Sequence, residues 1–268
     1  METIKILYIC QEIFPYTAET FASQLCRELP QFAQENGNYE VRVFMPCFGN
    51  INERRNQLHE VQRLSGLNLI VDDNDHQLII KVASIQSARI QIYFIDNETY
   101  FKRKAMYVDD NGESFKDNDE RMIFFTRGVL ETIKKLRWTP DIIHCNGFLT
   151  ALSPLYIKTM YASDPFFAES KVVFSVYNDK FTNELNNQIE KKLGIKEIKG
   201  TKVIKDKKVT WETITKLACD YSDTVCIGEE GADDLIKGIQ IDTPIEHYTK
   251  DLKKSYLEVY NKISQLNK

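Results

Sequence analysis

A short apolar run at residues 4–9 constrains the fold of this chain more than any other feature. The run is rich in β-forming side chains and too short for a helix, which is typical of a strand buried on both faces. The chain then turns at residues 14–16 and resumes with apolar residues at helical spacing over 18–32. This strand, loop and helix predict the opening unit of a doubly wound sheet, in which ligands bind beyond the carboxyl ends of the strands.

The composition excludes several classes of protein. A chain of 268 residues with 43% apolar residues is long enough for one large or two small domains. The net charge of −4 argues against a nucleic-acid partner, because such binding depends on basic patches. The one basic cluster, residues 202–208, is typical of a solvated edge. No apolar run approaches membrane-spanning length and no cleavable leader precedes the first strand, so we expect no membrane association.

The cysteines and the absence of known ligand motifs bear on compartment and cofactors. None of the six cysteines forms a Cys-x-x-Cys pair and four lie inside apolar runs. This pattern predicts buried thiols in a reducing compartment and no metal site, and we therefore expect a cytoplasmic protein. No Gly-x-Gly-x-x-Gly or Walker loop is present, so we expect no cofactor.

Apolar runs and helical patterns alternate along the rest of the chain. This alternation predicts one α/β domain over residues 1–245, a doubly wound, Rossmann-like, mostly parallel sheet with the 4–9 strand near its middle. The acidic turn at 72–75 predicts a β-hairpin. Further strands are predicted at residues 39–45, 67–71, 77–85, 90–95, 138–144, 171–176 and 223–227, and further helices at 123–133, 148–160, 210–218, 229–236 and 250–265.

The segment that follows the first strand carries a family resemblance. Glu12, Pro15 and Tyr16 stand as in the Ser-Glu-x-x-Pro-(Phe/Tyr) of bacterial glycogen synthases and plant starch synthases, which the segment resembles. In that family a phosphate-binding Lys-Thr-Gly-Gly-Leu follows. The corresponding positions here are all replaced: they are Ala18, Glu19, Thr20, Phe21 and Ala22.

These replacements bear on donor binding. A diphosphate needs backbone N–H groups that can be approached closely, together with a cation. Phe21 would block that approach and Glu19 would add a negative charge, so we expect no tight binding of ADP- or UDP-glucose. A purely structural interpretation is an ordinary amphipathic helix with Phe21 in the core.

Two further segments resemble the same family. Asp117, Asn118 and Arg121 match its Asp-Asn-x-x-Arg, and Tyr100 stands in a preceding Asp-x-x-x-Tyr. In the resembling enzymes this region borders the catalytic cleft, which implies contacts with a glycan. Capping of the next helix by Asp117 or Asn118 would also account for these residues.

Residues 140–154 resemble the family's Pro-Asp-(Val/Ile)-(Val/Ile)-His-x-His-Asp-Trp-His-Thr segment, but Asn146, Gly147, Phe148 and Leu149 replace His-Asp-Trp-His. Leucine cannot donate a hydrogen bond to a sugar or a developing charge. His144 is retained, and a lone histidine that ends an apolar strand is typical of a structural residue. The family's His-Asn pair further on is here Tyr177-Asn178. The resemblance implies glucan contacts at Glu12, Tyr100, Asp117, Asn118, Arg121, Asn146, Tyr177 and Asn178.

The resemblance also implies an overall architecture. The chain is similar to the N-terminal half of a two-domain GT-B glycosyltransferase, and residues 246–268 correspond to a helix that returns to pack on that half. Tyr256 and Tyr260 lie on one face of this helix. We expect the second domain of those enzymes, with its donor contacts, to be missing.

Three functions are compatible with these features. The first is a non-catalytic relative of glycogen and starch synthases that binds an α-glucan or a protein partner. The second is a glucosyltransferase acting on an α-glucan, completed by a second chain that carries the donor domain. The third is a nucleotide- or cofactor-using enzyme on a doubly wound fold, which the missing glycine-rich loop disfavours.

Overall fold

The computed structural model describes residues 3–194, 204 and 208–265. Apart from Ile204 and Lys208, the basic cluster at 202–208 lies outside the described residues. In chain order the strands of the described part are β1 (Ile4–Cys10), β2 (Tyr39–Pro46), β3 (His59–Glu60), β4 (Leu67–Val71), β5 (Asn74–Ile85), β6 (Ile90–Asp96), β7 (Ile142–Asn146), β8 (Lys171–Val176), β9 (Thr224–Ile227) and β10 (Ile245–Glu246).

These strands form a mostly parallel sheet with β1 near its centre. The strand order is β10-β9-β8-β7-β1-β2-β6-β5-β3, and β4 pairs with β5 beside this path. β1 pairs in parallel with β2 on one side and β7 on the other, whereas β5 runs antiparallel to β6 and β4. The predictions of an α/β sheet with a central first strand and of a hairpin at 72–75 are therefore confirmed. At the hairpin, Asp72 and Asp73 have φ values of 48° and 61°, as a tight two-residue turn requires.

Helices lie between the strands and cover the sheet. Among the described residues they are α1 (Phe21–Asn36), α2 (Glu98–Phe101), α3 (Asn118–Leu136), α4 (Ser153–Lys158), α5 (Ile189–Lys192), α6 (Trp211–Asp220), α7 (Ala232–Ile236) and α8 (Leu252–Ser264), with short 3₁₀ turns at Gln86–Ala88 and Phe148–Thr150.

α1 begins three residues later than the apolar spacing predicts, because Thr20 caps it. The Thr20 hydroxyl accepts from the Ser23 backbone N–H and the Ser23 hydroxyl accepts from the Thr20 N–H, both at 2.9 Å, which is a capping box. Phe21 is thereby the first helical residue and lies beyond the buried stripe that begins at Ala22. Its side chain is 43% exposed, so the interpretation that places Phe21 in the core is wrong.

The predicted helix over 148–160 is also wrong. A 3₁₀ turn at Phe148–Thr150 is followed by the shorter helix α4, which carries Pro154 in its first turn and ends before Thr159. Proline has no N–H to continue a preceding helical turn but suits the start of a new helix. The strand before it begins at Ile142 and continues to Asn146, two residues beyond the predicted end.

α8 packs on the sheet domain through one apolar face. Its Leu252, Tyr256, Tyr260 and Ile263 are buried, whereas Lys254 and Lys262 are exposed. The helix is also tied down by polar contacts. Tyr39 donates to Asn261 Oδ1 at 2.7 Å, the Tyr256 hydroxyl lies 2.7 Å from Ser175 Oγ, and Lys253 Nζ lies 2.8 Å from Glu28 Oε2.

All six cysteines are free and buried. Among the described residues, no helix combines the length and the apolar character that crossing a bilayer requires.

Candidate functional site

A cleft of about 390 Å³ opens at the carboxyl ends of the central strands. Gln11 and Glu12 follow β1, Phe148 follows β7, residues 177–181 follow β8, and Glu229 follows β9. The other walls come from the start of α1 and from the loop between α2 and α3. This is the crevice in which doubly wound sheets bind ligands. The replaced loop at 18–22 contributes Thr20, Phe21 and Ala22 to its lining.

Three carboxylates lie in this cleft. Glu12 Oε1 accepts the Thr20 hydroxyl at 3.0 Å, and Glu229 Oε2 accepts the Asn178 backbone N–H at 3.0 Å. Asp179 accepts the Phe148 backbone N–H at 2.8 Å and the Trp211 indole N–H at 3.2 Å. These donors are all uncharged, and none of the three carboxylates has an ion-pair partner among the described residues.

The cleft lowers the acidity of two of these groups. Burial is the main cause that raises the pKa of Glu12, with repulsion from Asp179 adding to it and the Thr20 hydrogen bond opposing it. Burial likewise raises the pKa of Asp179 to about 6, against the hydrogen bonds from Phe148 and Trp211. Among the described residues of the lining, Lys180 is the cation, but its Nζ lies 2.5 Å from Glu212 Oε1. The electrostatic environment is therefore unfavourable to an anion.

The turn after β7 has a backbone that only glycine adopts readily. Gly147 has φ 84° and ψ 170°, in a region that side chains exclude. The space beside it is already filled, because a Cβ at 147 would lie 2.2 Å from Gln11 Cδ. Gln11 Oε1 in turn accepts the Leu149 backbone N–H at 3.2 Å. Leu149 is itself fully buried, so this turn and Gln11 form one packed unit.

Tyr177 and Asn146 interlock at the base of the cleft. The Tyr177 hydroxyl donates to Asn146 Oδ1 at 2.8 Å, and Asn146 Nδ2 donates to the His144 carbonyl at 3.1 Å. Gly228 leaves room for the tyrosine ring, since a Cβ there would lie 2.6 Å from Tyr177 Cε1. Asn146 is held below the surface by these contacts, whereas Tyr177 is buried but still lines the cleft.

Asn118 and Arg121 hold the loop between α2 and α3. Asn118 Nδ2 donates to the Tyr107 carbonyl at 2.9 Å, and its Oδ1 accepts from Arg121 Nη1 at 2.6 Å. Arg121 is fully buried, donates through Nε to the Tyr100 carbonyl at 2.8 Å, and has its pKa lowered to about 10 by burial. Asn118 thus lines the cleft with both ends of its amide engaged.

Asp117 does not cap α3, contrary to one of the two interpretations of its sequence. It occupies the N-cap position without a side-chain cap. Its carboxylate instead forms a bidentate pair with Arg103 at 2.6 and 2.5 Å, which lowers the pKa of Asp117 against the effect of burial. Asn118 is already inside the helix, so neither residue supplies the predicted cap.

The glucan-contact candidates therefore divide into two groups. Glu12, Asn118, Tyr177 and Asn178 line the cleft. The remaining candidates support it from behind or beside it: they are Tyr100, Asp117, Arg121 and Asn146. Sequence reasoning missed Gln11, Asp179 and Glu229, although each follows the end of a central strand by at most three residues.

A second cluster of potential ligand atoms lies away from the cleft. Cys47, Glu53 and Asp96 come within 4.8 Å of one another. Lys81 Nζ lies 2.7 Å from both carboxylates, and Lys102 Nζ lies 3.1 and 3.2 Å from them. Burial raises the pKa of the Cys47 thiol to about 12. The two ammonium groups already supply the positive charge, so these residues do not fit a metal ion.

The fold and cleft define a doubly wound α/β domain with its ligand crevice at the ends of the central parallel strands. A family model described as the starch synthase catalytic domain matches residues 5–227. The chain belongs to this family.

Individual relatives agree with that assignment. The glycogen synthase of Chlorobium limicola is 42% identical over 175 residues, which are 65% of this chain and 36% of that protein. The glycogen synthase of Chlorobium luteolum is 38% identical over 197 residues, or 73% of this chain and 40% of the relative. The chain therefore spans about two fifths of the length of these curated relatives.

The fold is also that of a solved member of the family. The catalytic domain of starch synthase IV from Arabidopsis thaliana, bound to ADP and acarbose, superposes with a TM-score of 0.71 at 17% identity. The match covers 98% of this chain and 50% of that one. It confirms the prediction of a fold like part of a GT-B glycosyltransferase.

Proposed function

We propose that this chain is a non-catalytic member of the glycogen and starch synthase family, which binds an α-glucan or a protein partner and does not transfer glucose. One observation carries the proposal: the cleft presents Glu12, Asp179 and Glu229, and the part of the chain that the structure describes supplies no countercharge to them. Two phosphates placed there would meet like charges, at a cost that burial increases.

The start of α1 adds a steric argument. Backbone N–H groups bind phosphate well where glycines allow a close approach. Here the first helical position carries Phe21, whose ring lines the cleft. The Thr20 side chain already caps the N–H of Ser23, so that donor is not free for an anion.

The turn at 146–149 argues against catalysis independently of charge. Gly147 stands where the family has aspartate, and its backbone conformation excludes a side chain. Gln11 also fills the adjacent space. Substituting the family's residues at this turn would therefore require the backbone to move.

Glucan binding is supported by the groups that remain in the cleft. Carboxylate oxygens of Glu12 and Glu229 can accept hydrogen bonds from sugar hydroxyls. Phe148 and Phe181, whose ring centroids are 5.2 Å apart, offer apolar surface beside them. The structurally similar starch synthase IV domain was solved with acarbose bound.

We also propose that the protein resides in the cytoplasm. Its six free, buried cysteines suit a reducing compartment.

Calorimetric titration with maltoheptaose tests the glucan part of the proposal. We expect binding that Phe181→Ala weakens at least tenfold, or by about 1.4 kcal/mol. Phe32→Ala is the matched control, since Phe32 is a partly buried phenylalanine on α1 outside the cleft lining. Absence of binding would refute the glucan part and leave the protein partner. Transfer of glucose from ADP-glucose to maltoheptaose would refute the claim that the chain is non-catalytic.

A further inference from the structure

We propose that the cleft binds an organic cation, an ammonium group carried on an apolar stem, between its carboxylates and its aromatic walls. The inference does not depend on the proposed function, because an α-glucan is uncharged and a glucan and a cation are tested with different ligands.

The charge of the cleft is the first observation. Glu12, Asp179 and Glu229 come from three different strand ends and face one cavity. Glu12 is only 8% exposed, and a buried carboxylate without a countercharge is costly. Among the described lining residues Lys180 carries a positive charge, but it is paired with Glu212 in the first turn of α6. An ammonium ligand would supply the missing charge.

The aromatic surface is the second observation. Tyr107 and Phe148 meet edge to face with centroids 4.9 Å apart, and Phe148 meets Phe181 at 5.2 Å. Phe21, which is 43% exposed, adds a further ring to the lining. Its centroid lies 6.4 Å from that of the Tyr248 ring. Aromatic faces attract ammonium groups electrostatically, and the attraction grows when the cation is desolvated. The same rings give an apolar stem a surface to cover.

The hydrogen-bonding capacity of the carboxylates fits such a ligand. The Thr20 hydroxyl donates to one oxygen of Glu12, and the Asn178 backbone N–H donates to one oxygen of Glu229. Glu12 also accepts from the Gln11 side chain, whereas no further hydrogen bond to the Glu229 carboxylate occurs among the described residues. A carboxylate has about four acceptor positions, so both groups keep acceptor capacity for a ligand. An ammonium group has three donors and no acceptor, so it satisfies these acceptors where a phosphate would repel them.

A series of five-carbon compounds separates charge from shape. The probes are 1,5-diaminopentane, the neutral 1,5-pentanediol and the anionic glutarate, each titrated calorimetrically. We expect the diamine to bind at least tenfold more tightly than the diol, a difference of about 1.4 kcal/mol, and glutarate not to bind. Equal binding of diamine and diol, or no diamine binding up to about 20 mM, would overturn the proposal.

Variants locate the bound cation. Glu12→Gln should weaken binding of the diamine at least tenfold, and Phe21→Ala should weaken it several-fold. The control is Glu35→Gln, because Glu35 is an exposed carboxylate near the C-terminal end of α1. This substitution should leave the affinity for the diamine unchanged. If Glu12→Gln fails to fold, Glu229→Gln replaces it. Undiminished binding by the folded variant would place the cation elsewhere and overturn the proposal.

An ammonium group on an apolar stem occurs both in free amines and in the lysine side chains of proteins, and a comparison of peptides distinguishes these two sources. The tripeptide Gly-Lys-Gly with blocked ends is compared with the same peptide acetylated at the lysine Nζ. Tighter binding of the unmodified peptide than of the diamine would identify a lysine side chain of a protein as the occupant. Tighter binding of the diamine would identify a free amine. Equal binding of acetylated and unmodified peptides, without diamine binding, would overturn the ammonium assignment.

Discussion

His144 Nδ1 and the Tyr260 hydroxyl lie 2.7 Å apart in the interior and join β7 to α8. The other ring nitrogen of His144 lies 2.7 Å from Ser175 Oγ, which in turn lies 2.7 Å from the Tyr256 hydroxyl. These contacts connect two neighbouring strands to two turns of one helix. The prediction that His144 is a structural histidine is confirmed.

Tyr260→Phe should lower the free energy of unfolding by roughly 1–3 kcal/mol, because it leaves a buried nitrogen of His144 without its partner. Urea unfolding monitored by circular dichroism measures this loss. The matched control is Tyr248→Phe, because no hydrogen bond of the Tyr248 hydroxyl occurs among the described residues and the side chain is only partly buried. Equal effects of the two substitutions would show that the hydrogen bond to His144 contributes no stability.

The same histidine should make stability depend on pH. Burial lowers the pKa of His144 to about 3 from its ordinary 6.5. Between these values the unfolded chain takes up a proton that the folded chain does not, so folding weakens as the pH falls. His144→Gln removes this titration. The stability difference between wild type and variant should therefore shrink by about 1.4 kcal/mol per pH unit below pH 6.5. A difference that stays constant from pH 7 to about pH 4 would contradict a buried, neutral His144.

The sequence was sufficient to predict the architecture, for physical reasons. Apolar runs such as residues 4–9 are buried on both faces of a parallel sheet, so their periodicity directly indicates their position. The amphipathic pattern at 250–265 likewise locates α8 to within two residues. The sequence signals that indicate where turns lie and where helices begin and end were weaker. The effect of Pro154 on the helix after β7 outweighed the apolar spacing of residues 148–160.

The site was predicted less well, because it depends on side-chain partners distant in sequence. Asp117 pairs with Arg103 across a loop and does not cap its own helix. Asp179 receives donors from two other segments, and neither can be inferred from its neighbours in the chain. The residues at the family's motif positions lie in or around the cleft, but the contacts that replace the motif residues became visible only in the fold.

Gly147→Ala tests the packed turn at the floor of the cleft. The positive φ of Gly147 and the 2.2 Å approach of Gln11 Cδ to a Cβ at 147 should both destabilise the variant. Gly66→Ala is the control, since Gly66 has φ +87° with nothing within 4 Å of its Cβ position. We expect Gly147→Ala to cost at least about 1 kcal/mol more than Gly66→Ala.

Adding Gln11→Ala to Gly147→Ala should recover most of this excess, because it removes the side chain that the new methyl group meets. Thermal unfolding of the double variant, of Gly147→Ala and of Gly66→Ala completes the comparison. An excess that persists after Gln11→Ala would attribute the whole effect to the backbone of the turn.

The most direct measurement of the central claim is calorimetric titration of this chain with ADP-glucose. Glu12, Asp179 and Glu229, which have no ion-pair partner among the described residues, line the cleft together with the ring of Phe21. On our proposal this lining excludes a diphosphate. The account predicts no binding with a dissociation constant below about 10 μM, which corresponds to roughly 7 kcal/mol. Binding of ADP-glucose tighter than this would contradict our proposal that the cleft does not bind a sugar-nucleotide donor.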